Sequence, residues 1–149
     1  HFTQTTEDSI ALNNIKQGAI IIAASGMCDA GRIKHHLRHN LPRSECSVIF
    51  TGYQAEGSLG RRLVDGAKTA TIFGEEITVR AKMHTIGGLS AHADQAALLA
   101  WLKHFKVAPK KTFIIHGEST NREIFADKIR EVLGWKEIIL PILGQSYEI

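Results

Sequence analysis

Residues 112–140 read TFIIHGESTNREIFADKIREVLGWKEIIL. The stretch opens on a short apolar run, Thr112 to Ile115, continues as a helix-patterned segment from Asn121 to Leu133, and closes on a second apolar run, Glu137 to Leu140. Short apolar runs beside turn residues predict buried strands, and strand, helix and strand in succession argue an α/β architecture. Upstream the alternation continues. Ala93 to Lys106 predicts an amphipathic helix that uses Leu98, Leu99, Leu102 and Phe105. Before it Gly87-Gly88 breaks the chain, and Ala70–Phe73 and Ile77–Met83 predict strands around a Gly74-Glu75-Glu76 turn, with Ile77, Val79 and Ala81 alternating along the second.

Further towards the N-terminus, Glu56 to Val64 predicts a helix with Leu59 and Leu63 on one face, and Ser47 to Thr51 a short strand. Arg32 to Asn40 predicts a helix, with Asp29 as its N-cap and Pro42 closing it off. Ala19-Ile20-Ile21-Ile22-Ala23-Ala24 is a continuous apolar run bounded by glycines, which predicts a buried strand ending in a tight Ser25-Gly26 loop. Thr6 to Ile15 predicts a short helix stopped by Gly18. No internal repeat, low-complexity segment or long linker interrupts the pattern, and the domain boundary is expected near Gly74.

With 44% hydrophobic and 22% charged residues, a chain of 149 residues can bury a core and is expected to be soluble and globular. It has no apolar run of the roughly 18 residues that a membrane span needs. A secretory-signal pattern is also missing, so a cytoplasmic location and no membrane partner are expected. Cys28 and Cys46 are too few for a disulfide framework and are not spaced as a zinc pair. A formal charge of +3 permits a polyanionic partner without requiring one. The chain opens on His1 rather than Met. It is therefore expected to be a piece of a longer protein, with surface that promotes self-association.

Chemistry-bearing residues gather at the carboxyl ends of predicted strands, where open α/β sheets place their sites. Ser25-Gly26 follows the Ile20 strand, Gly88-Leu89-Ser90-Ala91-His92-Ala93-Asp94 the Ile77 strand, and His116-Gly117-Glu118 the Ile114 strand. If His92 opens a helix, unpaired amides and the helix dipole could hold a phosphate beside an imidazole that exchanges protons near neutral pH. Equally, Ser90 and Asp94 could simply cap that helix. His116, ahead of a glycine that permits a sharp turn, could serve as metal ligand or general acid, or could be structural. His35 and His39 share a helical face, but no acidic or sulfur ligand beside them completes a tetrahedral set, so a solvated or RNA-facing helix is the better reading. Gly52-Tyr53-Gln54-Ala55-Glu56-Gly57 matches no nucleotide fingerprint and reads as turn chemistry, with Gly57 able to let backbone amides approach a ligand.

Taken together, Ala24-Ser25-Gly26-Met27, Gly31-Arg32, His35-His36-Leu37, Gly52 to Gly57, Ser90-Ala91-His92-Ala93-Asp94 and Ile115-His116-Gly117-Glu118 resemble the β-CASP group of metallo-β-lactamase-fold ribonucleases, over roughly residues 18 to 122. The order and spacing of the motifs carry the resemblance, which is to the bacterial and archaeal branch related to the eukaryotic mRNA 3′-end cleavage factor. It implies an α/β fold in which residues 1–74 end a β-CASP domain and residues 75–149 are the RNA-specificity segment closing a metallo-β-lactamase αββα domain.

The resemblance further implies zinc-dependent hydrolysis of RNA phosphodiesters, with His92 as the general acid at the scissile phosphate. His116 is implied to be a ligand of one of two zinc ions, and Ser90, Ala91, Ser25 and Gly26 to contact RNA phosphates. The intact protein could be a homodimer. The His-x-His-x-Asp-His element and the other ligands of that family's dizinc site are missing from the sequence, so this chain is expected to be inactive alone. The competing expectation is a catalytically idle RNA-binding or protein-interaction module of the same fold.

Overall fold

The computed structural model describes residues 1–89 and 92–148, which fall into two compact units, His1–Ser90 and Ala91–Ile149. The fold is α/β. In the first unit α1 (Thr6–Ala11), extended by a 3₁₀ turn at Leu12–Asn14, starts with a reciprocal cap. The Thr5 hydroxyl accepts from the Asp8 amide and the Asp8 carboxylate from the Thr5 amide. Donation from the Thr5 amide, and then from the Thr5 side chain, holds the Asp8 carboxyl below its usual range. Then α2 (Arg32–Asn40) buries His36 and Leu37, with His36 Nε2 3.3 Å from the Ser9 hydroxyl of α1.

There follow β1 (Ser47–Phe50), α3 (Leu59–Val64), the antiparallel hairpin β2 (Thr69–Ile72) and β3 (Glu75–Thr78), and β4 (Lys82–Thr85), which pairs parallel with β1. The hairpin turn is Phe73-Gly74, both at positive φ (52° and 80°), as a two-residue type I′ connection requires. The turn is thus tighter than the expected Gly74-Glu75-Glu76. Leu41, Leu63 and Ile72 are fully buried at the centre of this unit's core.

Several expectations change here. The segment 19–24 is not a buried strand: Ile20 and Ile22 are 91% and 94% exposed. Apolar composition favours burial, but a strand also needs a neighbour to take its backbone hydrogen bonds, and among the described residues none pairs with it. Ile77–Met83 is divided between β3 and β4, because the intervening amides bond elsewhere. Val79 donates to the Lys68 carbonyl, while Arg80 and Ala81 both donate to the Leu41 carbonyl at the end of α2. Asp29 does not cap α2; its carboxylate accepts from the Leu59 amide, in the first turn of α3. Because Ser58 is the N-cap of α3, that helix starts at Leu59 rather than Glu56.

In the second unit α4 (Gln95–Leu102) is capped by Asp94, whose carboxylate accepts from the Ala97 amide at 2.8 Å. It ends at Leu102 rather than Lys106. The strands β5 (Thr112–Phe113) and β6 (Ile138–Ile139) flank α5 (Ser119–Leu133) and pair parallel, Thr112 with Ile138 and Phe113 with Ile139. This is the strand–helix–strand order read from residues 112–140. Gly134, at φ 68°, ends α5 in the left-handed conformation that glycine adopts without steric cost. Leu99 and Leu102 of α4, Ala126 and Ile129 of α5, Trp135 and Ile138 form the core.

Candidate functional site

His116 sits just past β5, where the chain leaves the sheet. Its neighbour Gly117, at φ 117°, makes the turn towards α5, and a Cβ there would touch the Arg122 side chain at 3.4 Å. His116 and Gly117 line a hollow of about 290 Å³ with Gln95, Asn121 and Arg122. His116 also borders a second hollow of about 410 Å³, walled largely by apolar side chains, Trp101, Phe105 and Trp135 among them.

Arg122 also lines the smaller hollow, although no sequence pattern singles it out. Its guanidinium donates to the Pro141 carbonyl at 3.2 Å and lies 3.4 Å from the Ser119 hydroxyl, while its buried Nε has no hydrogen-bond partner. A buried donor left open is costly unless a further acceptor reaches it, so the Arg122 guanidinium is the cationic group of this hollow. Its position on the first turn of α5, immediately after the His-Gly-Glu turn, was the available signal.

His92 is exposed and stands three residues ahead of α4 rather than inside it. Because Asp94 already occupies the Ala97 amide, fewer first-turn donors remain for an anion than the sequence suggested. The capping alternative therefore holds for Asp94. Ser90 and Ala91 lie outside the described residues.

Ser25 and Gly26 belong to the first unit, in a loop built against the start of α3. The Cys28 amide donates to the Ser25 carbonyl, and the Gly60 amide to the Met27 carbonyl at 3.0 Å. Gly60 is a close approach: a Cβ would lie 1.8 Å from Gln54 Oε1, which would have to shift, and 3.2 Å from the Met27 carbonyl oxygen. Gln54 is buried and donates to the Gly52 and Tyr53 carbonyls, so Gly52 to Gly57 is held by its own turn chemistry. Beneath the loop Cys28 is buried, and burial, then the adjacent Asp29 carboxylate, push its thiol up to about 11. Cys28 is consequently no nucleophile at neutral pH.

Among the described residues no three His, Cys, Asp or Glu side chains come together as a metal cage. His116 would be a lone donor, so the residues present do not by themselves fit a zinc site. The His35 ring packs on that of Phe73, with centroids 4.5 Å apart.

Residues 1–63 match the Beta-Casp domain, and residues 76–141 match the Zn-dependent metallo-hydrolase RNA specificity domain. The chain belongs to the β-CASP group of the metallo-β-lactamase fold. Among its relatives is "Ribonuclease TTHA0252" of Thermus thermophilus, 41% identical over 76% of this chain and 25% of that protein. "Transcription termination factor FttA" of Methanocaldococcus jannaschii is 35% identical over 83% of the chain and 20% of that protein. An "RNase J-like protein" of the same organism is 36% identical over 91% and 30%. The chain thus spans between a fifth and a third of the length of these relatives. Among its described residues no helix is long and apolar enough to cross a membrane.

Proposed function

We propose that this chain supplies part of an RNA-phosphodiester hydrolase of the β-CASP group, with residues 1–74 ending the β-CASP domain and 75–149 forming the RNA-specificity segment. The observation that carries the reading is His116, past a strand end and lining one hollow with Arg122, inside the stretch matching an RNA specificity domain. The names of its relatives, ribonuclease and RNase J-like protein, support it.

In this reading RNA is the partner and the cytoplasm the place of action. Arg122 holds a phosphate oxygen by a charge-assisted bond. His92 protonates the leaving oxygen, a task suited to an imidazole because that group exchanges protons near neutral pH. Ser25, Gly26, Ser90 and Ala91 are proposed phosphate contacts. His116 is proposed as one ligand of a dizinc centre whose other ligands this chain does not contain, and the 149 residues alone are expected not to cleave RNA. The second reading, an idle RNA-binding or protein-interaction module, draws on that missing cage and on the relative named as a termination factor.

The test is zinc content and RNA cleavage of the full-length protein containing this sequence. His116→Ala should lower the bound zinc. His92→Ala should leave zinc in place and slow cleavage by about 10²–10⁴-fold, the usual contribution of a positioned acid. A full-length protein that binds RNA but carries no zinc and cuts nothing would establish the module instead.

A further inference from the structure

The second unit carries a surface that the histidine chemistry does not use. Between Trp101 and Lys111 the sequence WLKHFKVAPKK holds four lysines and no carboxylate, although the whole chain has a formal charge of only +3. Lys103, Lys106, Lys110 and the nearby Lys136 are all exposed and form no ion pair among the described residues. Interleaved with them, Trp101 is 61% and Phe105 47% exposed.

The aromatic rings form a ladder rooted in the core. Trp101 meets Phe105 edge-on at 5.6 Å and 83°, and Phe105 meets the buried Trp135 at 5.7 Å and 80°. Edge-to-face packing fixes these rings while leaving aromatic face available for stacking. All three border the hollow of about 410 Å³, at whose rim the Lys111 ammonium is tied to the Glu148 carbonyl.

Exposed apolar rings alone would equally suit another protein surface. The lysines decide against an apolar cover, because it would strip water from several ammonium groups with no counter-charge to receive them. A flexible polyanion carrying flat aromatic groups satisfies both features, and single-stranded nucleic acid has that chemistry.

We propose that this face binds single-stranded RNA, one base stacking on Trp101 at the hollow and the flanking phosphates lying on Lys103, Lys106 and Lys110. The choice of RNA rests on the hydrolase reading above; the proposed binding groups are Trp101 and the lysines, not the histidines. Held there, a strand would be tethered beside the turn that carries His116.

The experiment measures binding of a fluorescein-labelled oligouridine to the 149-residue chain by anisotropy over a salt series, with tryptophan emission recorded in parallel. RNA should quench the exposed Trp101, and Trp101→Ala should weaken binding by about 5- to 100-fold, the range for loss of one stacked base. Lys103→Gln and Lys106→Gln, on exposed residues that leave the core intact, should each lower the salt slope by about 0.7. Lys128→Gln, at a lysine of α5 paired with Glu131, should bind as the unaltered chain does.

If Lys128→Gln weakens binding while Trp101→Ala, Lys103→Gln and Lys106→Gln do not, this surface is excluded while the hydrolase reading stands. No binding by any version also excludes it, since cleavage by the full-length protein is measured separately. Equal binding of polyglutamate or phosphatidylserine vesicles, lost in the same lysine variants, would replace RNA by a generic anionic partner and overturn the proposal.

Discussion

In the first unit Leu41, Leu63 and Ile72, from a helix end, a helix and a hairpin strand, are buried completely, whereas in the second Ile129 is the large side chain that reaches that state. The second unit builds its sheet from two strands of two residues each, and both units leave large apolar side chains in solvent, Ile20 and Ile22 in the first and Trp101, Val107, Ile115 and Leu143 in the second. Phosphate and proton chemistry is proposed mainly for this slighter scaffold, at Arg122, His92 and His116. The Ser25-Gly26 loop of the first unit is instead anchored to α3 through Met27 and Asp29. Binding residues gather on exposed turns carried by a few rigid elements, since a turn can present a side chain without burying it.

The comparison would break most visibly at Leu63. Leu63→Ala removes a fully buried side chain and should cost ~2–5 kcal/mol, read as a fall in the urea midpoint. A loss no larger than that of the 40% exposed Val132→Ala on α5 would mean the first unit is not the better packed.

Gly60→Ala comes next, at ~1–3 kcal/mol, because the added methyl meets Gln54 and the Met27 carbonyl. Adding Gln54→Ala should recover only part of this, since the Met27 oxygen remains at 3.2 Å. A neutral Gly60→Ala would show that the loop is not locked to α3.

The smallest expected effect is at His36. Burial first, then the like charges of His35, His39 and Arg32, lower its pKa below the ordinary 6.5. The unfolded chain therefore binds a proton more readily than the folded one. Stability is fully present above about pH 6.5, falls as the pH drops through the folded pKa, and is flat below it. Urea midpoints between pH 7.5 and pH 5 should decline more for the unaltered chain than for His36→Gln, whose side chain does not titrate; parallel curves would refute the assignment.

Most elements were legible in the sequence because their signals are local. Arg32–Asn40 is helical over the expected residues, and β1, α5 and β6 differ from expectation only at their ends. His116 likewise occupies the strand-end turn that the Gly117 signal implied. The errors arose where a backbone group had a choice of partner. Asp29 was read as the cap of the helix nearest in sequence, but the fold brings the Leu59 amide to it. Ile77–Met83 alternates like one strand, yet the Leu41 carbonyl captures two of its amides. Arg122 escaped notice because an arginine early in a helix usually only solvates it.

Periodicity, turn residues and motif order therefore determined the α/β class, the strand–helix–strand of the second unit and the family, since each depends on residues near one another along the chain. Tertiary structure alone decided that Ile20 and Ile22 stay exposed, that a side chain at Gly60 would meet Gln54 and the Met27 carbonyl, and that Trp101, Phe105 and Trp135 join in one ladder. Those outcomes depend on which distant groups arrive beside each residue, and composition along the chain does not encode such meetings one residue at a time.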